Sequence, residues 1–425
     1  MRGASVHVFV GPSCPTSIIE TILPNAVIRP PIRHGDLFST SWRSTDVILM
    51  IDGNYHQKLA VRHKEILEVM AHGVTVIGAA SIGALRAAEL APFGMLGVGK
   101  VFEWYRDEIV TQDDAVAVAH EEHASPDSVN IPLVNLYAAL REAVEAEVVG
   151  EDQVQDLVAS LAAEYYPQRS LSRVLAILDQ DRPVLGRWYR ERLKSDSHAF
   201  DQKRRDCLEA LEVVAAQVFR GRTGAAMEDS WRTVHVRRWR NRFGVDAEDG
   251  LPAATRLAYQ QIFDPEFPEI WWKYLTTCHP DPDAGFEAFL ARELGADSVG
   301  WSGDADRRKW ITDLLGPTPD LAADGERSVL LSRETAADRD QIRRYVEHGR
   351  QYLRSHPQRG ARFISSEGCQ GLLARLWRVD GDLSEHCHSR GLRTAQEAVD
   401  ALKPFVIGLL HEVRGEAWEG GQADA

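Results

Sequence analysis

The chain has 425 residues, 44% hydrophobic and 26% charged, the balance of a globular protein with material for one large core or two. No apolar run approaches the length needed to cross a bilayer, which excludes a membrane-spanning helix. A net charge of −14 argues against general nucleic-acid binding, and five scattered cysteines, Cys14, Cys207, Cys278, Cys369 and Cys387, fit neither a disulfide framework nor a paired metal knuckle.

In chain order, Ser5 to Val10 (SVHVFV) reads as a first strand. Its single preceding Arg and short apolar run do not make a secretory signal, so a cytoplasmic protein with reduced thiols is expected. The strand breaks at Gly11-Pro12-Ser13-Cys14, and Pro15 is placed to open a helix carrying Ile18, Ile19, Ile22 and Leu23. A weak strand at Ala26 to Ile28 follows, then a firm one at Asp46 to Ile51 (DVILMI) that ends at Asp52-Gly53-Asn54-Tyr55-His56. The next helix carries Leu59, Ile66, Leu67 and Met70 and stops at Gly73. Val74 to Ile77 is a β-branched strand, and Gly78-Ala79-Ala80-Ser81-Ile82-Gly83 turns it sharply into an Ala/Leu-rich helix whose first amides lack helical partners.

Strands alternating with helices predict a parallel sheet with right-handed crossovers, and such sheets bind ligands beyond the carboxyl ends of their strands. Ser13, Cys14, Asp52, His56 and Ser81 should therefore line one rim. Each also has a plainer reading: Asp52 before Gly53 holds a turn, His56 caps a helix, and Cys14 fills a core. Ser81 is either an N-cap or a nucleophile on the turn. Further on, Gly97 and Gly99 lack the third glycine of a dinucleotide fingerprint, so no nicotinamide or flavin cofactor is expected. Asp113 and Asp114 read as first-turn acids of a helix, with His120 about two turns on.

Beyond Pro132 the pattern changes. Segments such as LVNLYAALREAVEAEVV and RDCLEALEVVAAQVF place apolar residues three and four apart with few strand signals, which predicts an all-helical region. The fold class is thus α/β, a small doubly wound parallel sheet at the N-terminus followed by a large all-helical region. The expected domains are residues 1–130 and 131–425. Between Gly186 and Phe243 there are fourteen Lys/Arg against eight Asp/Glu, interleaved with aromatics, which reads either as a solvated helix face with Trp in the core or as a surface for single-stranded nucleic acid or an acidic partner. His386-Cys387-His388 with Cys369 lacks the spacing of a zinc site, and no metal is expected.

Together, Gly11-Pro12-Ser13, Ile51-Asp52-Gly53, His63-Lys64-Glu65-Ile66, the block from Gly78 to Leu90 ending SIGALRAAEL, Gly94-Met95 with Gly97-Val98-Gly99, Val101-Phe102 with Tyr105, and Asp113-Asp114 with Val116-Ala117 and His120 resemble the TfuA-like core domain. The resemblance is colinear over roughly the first 125 residues, and no single short motif carries it. Where many members read Ser-Ser-Met-Gly, this chain has Ala80-Ser81-Ile82-Gly83. Cys14 replaces a bulky apolar residue, and Ala115 replaces the Glu of an Asp-Asp-Glu string.

The resemblance implies a partner of a YcaO-type enzyme in converting backbone amides of a ribosomal precursor peptide to thioamides. It further implies hydrolysis of a thiocarboxylated ThiS-like sulfur carrier to release sulfide. On that reading Ser81 or Cys14 is the nucleophile, His56 the base with Asp52 orienting it, and the amides of Ser81 and Gly83 the oxyanion hole. Ser13, Gly83, Arg86 and His120 are the candidates for holding substrate, Arg86 gripping either a carboxylate or Glu89. The alternative is a non-catalytic adaptor that recruits YcaO, sulfur carrier or precursor peptide.

Overall fold

A computed structural model describes residues 4–54, 59–118, 130–217, 231–244, 250–278, 318–356 and 364–419, together with positions 285, 286, 288, 291, 311 and 312. Five strands, β1 (Val6–Phe9), β2 (Val27–Arg29), β3 (Val47–Met50), β4 (Thr75–Ala79) and β5 (Leu96–Val98), form one sheet in the order β2-β1-β3-β4-β5. Every neighbouring pair is parallel; Val8 stands beside Leu49, Leu49 beside Ile77 and Ile77 beside Leu96. The α/β expectation holds, with β5 added where the sequence reading saw only Gly97 and Gly99.

Helices α1 (Thr16–Ile22), α2 (His63–Ala71), α3 (Ile82–Leu90) and α4 (Lys100–Arg106) follow or connect the strands. α2 starts at His63 and leaves Leu59 outside the helix and 61% exposed, a correction to the expected helix. Asp113–Val116 is a single 3-10 turn. Five helices continue the chain: α5 (Leu133–Glu145), α6 (Glu151–Ala162), α7 (Leu171–Asp181), α8 (Pro183–Ser195) and α9 (Gln202–Ala216).

α9 closes one face of the sheet. Cys207, Ala210, Leu211 and Val214 pack with Val8, Leu49, Ile77 and Ile19 in one buried core. Strand residues alternate faces, so Met50 and Gly78 point to the other side, where α3 lies against them. There the backbones nearly touch: a Cβ on Gly83 would sit 1.9 Å from the Met50 carbonyl oxygen, and one on Gly78 would sit 2.0 Å from that of Gly83. Only glycine permits that approach.

The chain divides into two compact units, residues 1–37 with 41–231 and residues 38–40 with 232–425. The described part of the second is helical, with helices Val234–Phe243, Ala253–Phe263, Phe267–Thr277, Asp324–Leu330, Ala336–Ser355, Ser366–Trp377, Ser384–Ser389 and Ala395–Glu419. Its apolar residues gather in three clusters, around Trp271 and Phe267, around Leu373 and Val399, and around Phe405 and Tyr345. Cys369 and Cys387 are buried in the second of these, and no group of three metal-binding side chains occurs among the described residues. No helix among them is long and apolar enough to cross a membrane.

Candidate functional site

In a parallel sheet whose strand order runs 2-1-3-4-5, the chain leaves β1 in one direction and β3 in the other, which opens a crevice at their carboxyl ends. Ser13 follows β1 and Asp52 follows β3, and both are buried there. Asp52 Oδ2 accepts from the amides of Gly11 (2.8 Å) and Ser13 (3.0 Å), and Oδ1 accepts from the Ser13 hydroxyl (2.7 Å). Three donors fix the carboxylate and shape the loop after β1 around it. Asp52 therefore holds Ser13; His56, which the sequence reading has Asp52 orient, and His120 lie outside the described residues.

The fourth neighbour of Asp52 comes from α9. Lys203 Nζ stands 3.9 Å from Asp52 Oδ1 and donates to the Val116 carbonyl at 2.9 Å. Both side chains are 4% exposed. Burial lowers the Lys203 pKa, opposed by the carboxylates of Asp52 and Asp201. Lys203 thus puts a buried amine, already engaged by Asp52 and Val116, beside the polar loop at the strand-order reversal. This Lys lay in the basic run read as a solvated face, and that reading is corrected for Lys203. One signal pointed to it: Lys203 falls on the helical stripe of Cys207, Ala210 and Val214, which is apolar and inward-facing.

Cys14 is 2% exposed and Cys207 fully buried, both within the core beneath the sheet edge. Cys14 Sγ donates to the Pro15 carbonyl at 3.7 Å; the neighbouring Cys207 thiol draws the Cys14 pKa down, and Cys14 together with burial drives that of Cys207 well above the ordinary thiol range. Cys14 is thus the more acidic of the two sulfurs.

The turn after β4 is strained. Ala80 has φ 65°, a left-handed conformation that an L-residue adopts at a cost, and the Ser81 amide closes on the Ala79 carbonyl at 2.7 Å. The Ser81 side chain makes no cap bond to the helix, so the N-cap half of the sequence reading is not formed. The Gly83 amide donates to the Ile51 carbonyl at 3.2 Å. With the Ser81 and Gly83 amides both engaged inside the chain, the expected oxyanion donors are occupied, the first by Ala79 within the turn and the second by Ile51, because α3 lies close to β3. Ser81, Ser13 and Asp52 nevertheless share the carboxyl edge of adjacent parallel strands.

Arg86 grips Glu89, the second of its two expected partners. Its Nη1 donates to Glu89 Oε2 at 2.5 Å, and His63 Nε2 meets the same oxygen at 2.7 Å. Burial opposes it, but the His63 bond and the Arg86 charge hold the Glu89 carboxyl below its ordinary range. Two further features escaped the sequence reading. His34 Nδ1 bonds a fully buried Glu65, whose other oxygen takes the Gly35 amide at 2.7 Å, placing an oriented imidazole on the loop after β2. Asp114 receives Arg169 Nη2 at 3.0 Å, and Arg169 Nη1 is buried without a partner.

Residues 52–170 match the family model described as TfuA-like protein, a span that starts at Asp52 and ends just past Arg169. No curated protein matches the chain significantly. The chain carries a TfuA-like domain.

Proposed function

From the premise that this is a TfuA-like protein, whose family accompanies YcaO-type enzymes in thioamide formation, we propose that the chain supplies sulfide by hydrolysing a thiocarboxylated ThiS-like carrier. The observation that carries this reading is the cluster of Ser13, Asp52 and Lys203 at the reversal of strand order, beside the strained turn of Ser81. Lys203 supplies positive charge for the carrier's terminal thiocarboxylate, and the Ser13 loop shapes the entrance. Ser81 Oγ, or the Cys14 sulfur, attacks the thioacid carbonyl; the C–S bond breaks and hydrosulfide leaves. Water then cleaves the acyl group to a carboxylate. His56 is the base, and Arg86 and His120 complete the substrate contacts.

Residues 1–130 carry this chemistry as a TfuA-like core, and the helical region 131–425 lends it Lys203. The setting is cytoplasmic, with YcaO and a precursor peptide as partners. Purified protein mixed with thiocarboxylated carrier, without YcaO or ATP, should release sulfide.

The adaptor reading has one observation in its favour. The polar groups of the edge are turned on one another: Asp52 on Ser13 and Lys203, Arg86 on Glu89, and the Gly83 amide on Ile51. A surface that only binds needs no reactive group held open. Absence of sulfide release by a protein that still binds YcaO or the carrier selects that reading.

A further inference from the structure

A cleft of about 860 Å³ lies between α4, α5, α8 and α9 and has no part in the chemistry proposed above. α9 connects it to the sheet edge, because Gln202 lines the cleft while the next residue, Lys203, faces Asp52. Four cations line it: Lys100, Arg141, Arg192 and Arg205, with side chains 60%, 37%, 44% and 45% exposed. Glu142 and Glu145 line it too, so the lining carries four positive against two negative side chains in a chain of net charge −14.

The cleft already seats a carboxylate. Glu142 accepts from Arg205 at 2.7 Å and from Arg192 at 3.3 Å, a carboxylate between two guanidinium groups. The other two cations are held by acids on exposed side chains, Lys100 by Glu103 at 2.7 Å and Arg141 by Glu151, pairs that exchange with water or a ligand at little cost. Two indoles give the cleft an apolar component. Trp104 is braced edge-on by Tyr137 with ring centres 4.7 Å apart, and Trp188 by Phe200 at 5.4 Å, and both remain partly exposed. Braced aromatics beside arginines are the composition of binding hot spots.

We infer that this cleft docks an acidic peptide segment of a partner protein, its carboxylates on Arg141, Arg192 and Arg205 and its apolar side chains on Trp104 and Trp188. A peptide fits better than a nucleic acid because the strongly acidic chain repels a uniform polyanion, whereas a segment with both carboxylate and apolar groups matches a lining of both guanidinium groups and indoles. The inference is independent of sulfide release.

The test is fluorescence anisotropy of the full chain with a labelled synthetic peptide of alternating Glu and Leu, a Gln/Leu control, and labelled single-stranded oligothymidine. The Glu/Leu peptide should bind, the control at least about tenfold more weakly, and binding should fall as salt rises. Arg141→Ala with Arg192→Ala should weaken it at least about tenfold, whereas Arg192→Lys, which keeps charge and fold, should lose less. Tighter binding of oligothymidine, equal binding of the Gln/Leu control, or no binding of either probe overturns the inference. Retained sulfide release by the Arg141/Arg192 variant is expected and separates this result from the fate of the hydrolase reading.

Discussion

The Ser13 hydroxyl donates a 2.7 Å hydrogen bond to Oδ1 of Asp52, tying together the ends of neighbouring strands across 39 residues of sequence. The same carboxylate faces buried Lys203 at 3.9 Å, so one side chain joins two loops and a helix. Asp52→Ala would strand the Lys203 charge and two amides, and should destabilise the protein by about 3–5 kcal/mol. Ser13→Ala, which leaves both amide bonds in place, should cost about 1.5–3 kcal/mol. Urea unfolding at constant m-value measures both; an Asp52→Ala loss under about 1 kcal/mol would mean that the Lys203 pairing is not a structural tie.

Gly83 should tolerate nothing larger. Its missing Cβ faces the Met50 carbonyl at 1.9 Å, a backbone atom that cannot swing aside, so Gly83→Ala should cost about 3 kcal/mol. Gly371, inside the Ser366–Trp377 helix, has nothing within 4 Å of a new Cβ, and Gly371→Ala should gain about 0.5–1 kcal/mol. Equal effects at the two sites would refute the close packing of α3 on β3.

Asp206 gives stability a defined pH dependence. It accepts the amides of Lys100 (3.0 Å) and Val101 (2.7 Å), but burial outweighs these bonds and pushes its carboxyl up to about 6 from an ordinary 3.8. Below about pH 3 the carboxyl is protonated both folded and unfolded, and burial carries no penalty. As pH rises through the folded value the penalty grows to about 3 kcal/mol. The stability of the native protein relative to Asp206→Asn should therefore fall between about pH 4 and pH 6.5. A flat difference over that window would show that Asp206 is not buried as described.

Ser81→Ala should be nearly neutral for stability, within about 0.5 kcal/mol, because the side chain makes no cap bond. A true N-cap would lose about 1 kcal/mol. Thermal unfolding of the two proteins decides between these, and a loss of the larger size would restore the cap.

Much of the first unit was legible in the sequence. β1, β3 and β4 are short apolar runs with turn residues at their carboxyl ends, and parallel topology alone brought Ser13, Asp52 and Ser81 to one edge. The rest was hidden for identifiable reasons. β5 is only three residues long and contains Gly97, which gives it almost no hydrophobic signal. Lys203 and Asp206 are charged residues on the inward face of α9, where periodicity expects apolar side chains; they are paired with partners up to about 150 residues away, a distance over which sequence pattern carries no information. The occupied amide of Gly83 depends on how closely α3 approaches β3, that of Ser81 on the tight turn at Ala80, and His34 with Glu65 joins a loop to a helix by tertiary packing alone.

The central claim, that the sheet edge performs chemistry on a thiocarboxylate, is tested most directly by sulfide release from thiocarboxylated ThiS-like carrier. The assay uses the full chain and its Ser81→Ala and Cys14→Ala variants, without YcaO or ATP. The account predicts release by the native protein and a loss of at least about a hundredfold in one of the two variants, with the native fold retained. Release no faster than in buffer, or full activity in both variants, would contradict it.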